Sequence, residues 1–144
     1  DVYKRQGIHS GSYRISEKEN IMTVKRIEMA LHVQELCAVN DIKVVYQSLE
    51  DAEPRYWARP ADKTICIRPT KNTGFYVSAL HEIGHILGRF QDRSLLTKEL
   101  WAWVWAREHS LVWTDTADRI MRRAMDSYGW GDVQKNRWRE LFNE

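Results

Sequence analysis

Residues 81–85 read His-Glu-Ile-Gly-His, two imidazoles four positions apart with a carboxylate directly after the first. On an α-helix each residue turns about 100°, so His81 and His85 stand roughly 40° apart on one face, one turn apart. Imidazoles so spaced can share one tetrahedral zinc ion. Glu82 points about 100° away from His81, too far round to be a third ligand but within reach of a water beside the ion. Zinc polarises a carbonyl and lowers the pKa of such a water from about 15.7 to about 7. A carboxylate can then take its proton as general base and hand it to a leaving amine. The chemistry implied is metal-assisted hydrolysis of an amide. The rival reading is a helix whose polar residues face solvent, or whose histidines are satisfied inside a core. The apolar flanks Val77, Leu80, Ile83, Ile86 and Leu87 weigh against it, because histidines and a glutamate on a largely buried helix need partners.

A hydrolytic zinc site needs a third protein ligand and one open position. Residues 81–88 read HExxHxxG, which resembles the start of the metzincin motif, but that family needs a histidine at position 91. The chain has Gln91 there, and no Met-turn follows. Glu99, 14 residues after His85 and near the start of the next expected helix, is the better candidate, making a His-His-Glu set of His81, His85 and Glu99. An acid in a first helical turn also stabilises the helix dipole, which is its bland reading. Asp92, Glu108 and His109 are the fallbacks. A transition-state oxyanion often needs a second donor. Tyr56, Tyr76 and His109 are candidates, and no spacing selects among them. His9 and His32 belong to no motif. Gly84 and Gly88 are expected to serve packing and the helix end.

The elements that must position these residues can be read from periodicity and turn chemistry. Residues 1–14 carry Gly7, Ser10, Gly11 and Ser12 and are expected to form a flexible tail. Ser16 with Glu19 is a capping-box pattern. Ile21, Val24, Ile27, Leu31 and Leu36 follow as a helical stripe to about Val39. Residues 42–47 are β-branched and read as a strand. Residues 48–62, with Pro54 and Pro60, read as a loop with a short strand near Tyr56-Trp57. Residues 64–67 read as a second strand, and Pro69 beside it suggests an edge strand. Lys71-Asn72-Thr73-Gly74 is turn chemistry. A helix then runs from about Phe75 to Leu87, with Gly88 to end it. Residues 89–96 read as a polar loop. Trp101, Trp103 and Trp105 alternate like a strand, yet the surrounding helix formers and a Thr97 cap favour a helix to about Val112. Two further helices are expected over residues 116–128 and 132–142, separated by Gly129-Trp130-Gly131. The expectation is a single α+β domain over residues 15–144.

Composition bounds what the domain can be. The 144 residues are 43% hydrophobic, with seven tryptophans and a net charge of +2, enough for one buried core. Cys37 and Cys66 lie far apart and form no CxxC pair, so a disulfide framework is not expected and a reducing compartment fits. No apolar run approaches the roughly 18 residues needed to span a membrane. Arg55, Arg59, Lys63, Arg68 and Lys71 make one basic stretch, while basic and acidic residues balance near the C-terminus. The tryptophan run is expected to fill core rather than to stack nucleic-acid bases, since no strong basic field accompanies it.

The stretch from Thr64 to Ala106 resembles the ImmA/IrrE family of zincin metallopeptidases. The resemblance is carried by the strand Thr64-Ile65-Cys66-Ile67, by Phe75 leading the helix, and by Ala79-Leu80-His81-Glu82-Ile83-Gly84-His85. It continues in Glu99, Ala102, Trp105 and Ala106, which fit the family's E-x-x-A-N-x-F-A pattern with Trp103 where Asn is usual and Trp105 for Phe. It implies a zincin-like domain in which a small sheet with an edge strand packs on the HExxH helix, and it puts the strand near Ile65–Ile67 above the metal. It also implies a cytoplasmic, phage-related metallopeptidase that takes Zn2+ and acts on protein or peptide substrates, including helix-turn-helix repressors. An edge strand above the metal would pair with an extended substrate. Two rivals remain. One is a non-catalytic regulatory module that keeps the metal for stability or partner binding. The other is a nucleic-acid-associated accessory protein using the stretch from Arg55 to Lys71, which the even charge balance elsewhere disfavours.

Overall fold

The computed structural model describes residues 15–48, 50, 53 and 55–143; the tail expected at residues 1–14 lies outside the described residues. Helix α1 (Ile15–Val39) is followed by strands β1 (Lys43–Tyr46), β2 (Trp57–Arg59) and β3 (Thr64–Ile67). Four further helices follow among the described residues: α2 (Thr73–Leu87), α3 (Leu95–His109), α4 (Asp115–Asp126) and α5 (Asp132–Asn143). Among the described residues, five helices around a small mixed sheet make an α+β fold. Among the described residues no helix is long and apolar enough to cross a membrane.

The sheet has the order β1-β3-β2. Strand β3 pairs with β1 in parallel, Lys43 opposite Thr64, and with β2 antiparallel, Trp57 opposite Cys66. The expectation that residues 64–67 form an edge strand is therefore wrong. β3 is the central strand, and all four of its residues are buried. Pro69 lies two residues past the last paired residue, so its missing N–H costs the ladder nothing. The run Thr-Ile-Cys-Ile does not alternate, which is the pattern of a strand covered on both faces. The edge beside the helices is β2, joined to β3 by a single 3₁₀ turn at Pro60–Asp62 with Lys63 in the left-handed region (φ 51°).

Helix α1 spans the expected residues but buries another face. Val33 and Cys37 are in the core, with Met29 and Leu36 packed against it, while Ile27 and Leu31 are exposed. Apolar residues surround this helix, so their spacing does not select one side. The phenol of Tyr76 ties α1 to α2, lying 2.7 Å from His32 Nδ1 and accepting from the Leu111 N–H at 3.0 Å.

Helix α2 begins two residues earlier than expected, because Asn72 is its cap: the side-chain oxygen accepts from the Phe75 N–H at 2.9 Å. Helix α3 likewise starts at Leu95, with Ser94 rather than Thr97 at the cap position. Trp101 and Trp103 fall on different sides of α3, Trp103 and Trp105 being buried. An alternating run can satisfy a helix wedged between two layers. In α4, Thr114 caps through the Ala117 N–H, and Ala117, Met121 and Met125 form a buried stripe one turn apart. Trp138 and Phe142 anchor α5.

The packing of α3 on α2 matters most for the site. A Cβ added at Gly84 would lie 2.4 Å from the Ala102 carbonyl oxygen and 3.0 Å from its Cα. The two backbones therefore touch at this crossing, and only hydrogen at position 84 permits it.

Candidate metal centre

The α2–α3 crossing carries the two histidines and Glu99 to one point. His81 Nε2 lies 2.8 Å from Glu99 Oε2, and His85 Nε2 lies 3.2 Å from the same oxygen. One nitrogen from each ring and a Glu99 carboxylate oxygen all fall within 4.8 Å of one another. This is the one group among the described residues that could so hold a metal ion. The side chains of His81, His85 and Glu99 are only 12%, 14% and 17% exposed. Ligand atoms on a tetrahedral zinc stand roughly 3.3–3.6 Å apart, and the two imidazole nitrogens reach Glu99 at 2.8 and 3.2 Å, somewhat closer than that. Neutral imidazole lone pairs and a carboxylate oxygen repel one another at such distances unless a proton or a cation lies between them. The donor set therefore fits a metal ion.

The electrostatics agree. Burial pulls the His81 pKa down, but hydrogen bonds and charges from Glu82 and Glu99 outweigh it and raise the value to about 9. Burial alone would raise Glu99; the two imidazoles hold it well below the usual carboxylate range instead. In the metal-free protein a proton thus sits where a cation would. An imidazole with its folded pKa raised from 6.5 to about 9 contributes stability that is complete below 6.5 and lost as pH rises through about 9. The same proton competes with metal. Metal affinity should therefore climb from pH 6.5 to about 9 and then level off, as titrations across that window would reveal. An affinity flat across it would contradict the protonated cluster.

Glu82 is 6% exposed and stands apart from the three-residue cluster, its Oε2 3.3 Å from His81 Nδ1. It lines a cleft of about 350 Å³ together with His81, His85 and Glu99. Tyr56, Trp57, Ala58 and Pro60, from β2 and its flanks, form one wall; Gln91, Leu95, Lys98 and Tyr128 complete it. The strand beside the cluster is thus β2, and Cys66 and its neighbours in β3 are not among the cleft residues.

The fallback ligands lie elsewhere. Asp92 is 87% exposed beside Arg93, Glu108 faces Arg89, and His109 stacks on Trp105 with Nδ1 at that residue's carbonyl oxygen. Of the tyrosines considered for an oxyanion, Tyr76 is committed to α1. Tyr56 lines the cleft, but its hydroxyl is buried beside the Arg68 backbone with no well-aligned hydrogen bond, and burial pushes its pKa up to about 12. Tyr128 was not legible from spacing. Its hydroxyl accepts from Trp103 Nε1 at 3.1 Å and donates to the Glu99 carboxylate. Burial raises its pKa, with the donation from Trp103 opposing and the Glu99 carboxylate assisting. Trp103 also stacks on His81, centroids 4.2 Å apart, and so fixes that ring from the side. Within the basic stretch from Arg55 to Lys71, Arg59 pairs with Asp62 at 3.0 Å and Arg68 is buried, while Arg55 and Lys71 are exposed. No family model, no curated protein and no solved structure matches the chain.

Proposed function

We propose that the protein is a zinc metallopeptidase of the zincin type, related in design to the ImmA/IrrE family, with His81, His85 and Glu99 as ligands and Glu82 as general base. The observation that carries this reading is the convergence of the three donors on one point of a cleft, with Glu82 lining the same cleft outside the donor set. Two imidazoles and a carboxylate suit zinc. When bound, the ion would polarise the scissile carbonyl and acidify the attacking water.

The chain's own residues divide the remaining work. Glu82 accepts the water's proton and returns it to the departing amine. Trp103 and the Gly84–Ala102 contact hold His81 and Glu99 in register. Tyr128, which accepts from Trp103 and donates to Glu99, steadies the Glu99 carboxylate from the cleft side. Strand β2 has no neighbour on its outer side among the described residues, and Trp57 and Ala58 line the cleft. An extended peptide adding to that edge would lie across the cluster. β2 thus takes the substrate-pairing role that the sequence assigned to residues 64–67. A helix-turn-helix repressor as substrate, and a cytoplasmic setting, come from the family resemblance.

Elemental mass spectrometry of the purified protein beside Glu99→Ala tests the reading. One zinc per chain is expected, with the variant retaining little after dialysis, and hydrolysis of an extended-peptide library by the loaded protein alone. A well-folded protein that takes up no metal when zinc is supplied would overturn it.

A further inference from the structure

We propose that Gln91 is the positioning residue of His85. Its side-chain amide holds the imidazole as the Nδ1–H tautomer and so aims the Nε2 lone pair at the point where His81, His85 and Glu99 meet. The inference rests on the reading of that cluster as a metal site.

The argument is a chain of hydrogen-bond polarities. Gln91 Nε2 lies 3.1 Å from the Arg89 carbonyl oxygen and 3.0 Å from that of Lys98. Carbonyl oxygens only accept, so both must face the amide's NH₂. Rotating the amide by 180° would set its oxygen against two carbonyl oxygens, so its orientation is decided by the backbone. The remaining atom, Oε1, is then the one that faces His85 Nδ1, at 2.9 Å. A carbonyl-type oxygen cannot donate, so Nδ1 must carry the ring proton. That leaves Nε2, the atom 3.2 Å from Glu99, as the ring nitrogen turned to the cluster and available to a metal.

The loop is shaped to deliver this side chain. Phe90, directly before Gln91, has φ 59°, a left-handed conformation costly for a residue with a Cβ. Its ring packs edge-on against Trp101, centroids 5.0 Å apart, which holds the turn. The chain thereby uses position 91 to orient one of its two histidines rather than to supply a third. Ligating histidines are commonly held in this way through their other ring nitrogen, and loss of such a partner weakens metal binding roughly 10–100-fold.

The test compares the full-length protein with Gln91→Leu and Gln91→Glu. Leucine removes the acceptor and the donors; glutamate keeps an acceptor for Nδ1–H and loses the donors to Arg89 and Lys98. Histidine ring ¹⁵N–¹H spectra at alkaline pH report the His85 tautomer without metal, and chelator competition reports the zinc Kd. Expected are an Nδ1–H tautomer in the parent protein, its loss in Gln91→Leu, and a Kd weakened roughly 10–100-fold in that variant. Gln91→Glu should retain the tautomer and bind zinc more tightly than Gln91→Leu. An Nε2–H tautomer in the parent would overturn the proposal. So would equal weakening of both variants, which would make Gln91 a staple of its loop. If the parent takes up no zinc, the metallopeptidase reading fails by itself, and the metal-free tautomers still decide the role of Gln91.

Discussion

Replacing Glu82 by glutamine should leave the protein loaded with zinc and reduce peptide hydrolysis about 10²–10⁴-fold, the usual contribution of a general base. The substitution is nearly isosteric, and the residue is 6% exposed with its carboxylate 3.3 Å from His81 Nδ1. An amide oxygen can still accept from that nitrogen, so the His81 ring keeps a partner and the ligand set keeps its geometry. What the amide cannot do is take a proton from water. The measurement is kcat on a cleaved peptide together with metal content on the same sample. Hydrolysis at the parent rate in a zinc-loaded variant would sink the assignment of Glu82. Loss of zinc along with activity would instead mean that the carboxylate helps to hold the metal.

The second large effect lies away from the chemistry. Gly84→Ala should destabilise the fold and weaken metal binding together. The new methyl group would meet the Ala102 carbonyl oxygen at 2.4 Å and its Cα at 3.0 Å. Both are backbone atoms and cannot swing aside, so α3 must move off α2. Overpacking of this kind costs about 1–3 kcal/mol, a fall in Tm of roughly 3–12 °C for a domain of this size. Glu99 lies on α3 within one turn of Ala102, so the same displacement draws its carboxylate away from His81 and His85. Gly131→Ala is the control: the nearest atom to its added methyl is the Gln134 side chain at 3.6 Å. Metal-free thermal melts and zinc titrations of the two variants check this. A Gly84→Ala protein that melts and binds like its parent would refute the tight crossing.

The parts of this site that could be read from sequence are those written in local spacing. HExxH places its own three side chains once a helix is assumed, and the need for a third ligand pointed to Glu99 on the following helix. The cap of α3 was read three residues late, at Thr97 instead of Ser94, and α2 was started two residues late, inside the turn that Asn72 caps. What stayed hidden depends on segments that meet from far apart. Whether residues 64–67 were central or at an edge depended on β1 and β2 both choosing them as partner, and Pro69 suggested otherwise. The buried side of α1 was set by the α2 surface it meets. Tyr128 reaches the cleft 25 residues beyond the Trp103 indole that holds it. Gln91 looked like the absence of a ligand until its amide was placed between His85 and two backbone carbonyls.

The three candidate donors are close neighbours along the chain, His81 and Glu99 being 18 residues apart on consecutive helices joined by a short loop. Such a helical hairpin has low contact order and forms fast. As synthesis proceeds from the N-terminus, all three donors and Gln91 have emerged before α4 and α5 exist. Of the residues lining the cleft, only Tyr128 arrives later. In the proposed metallopeptidase, capture of a cation would therefore precede completion of the fold, and the ion would act as a nucleus on which the last two helices are laid.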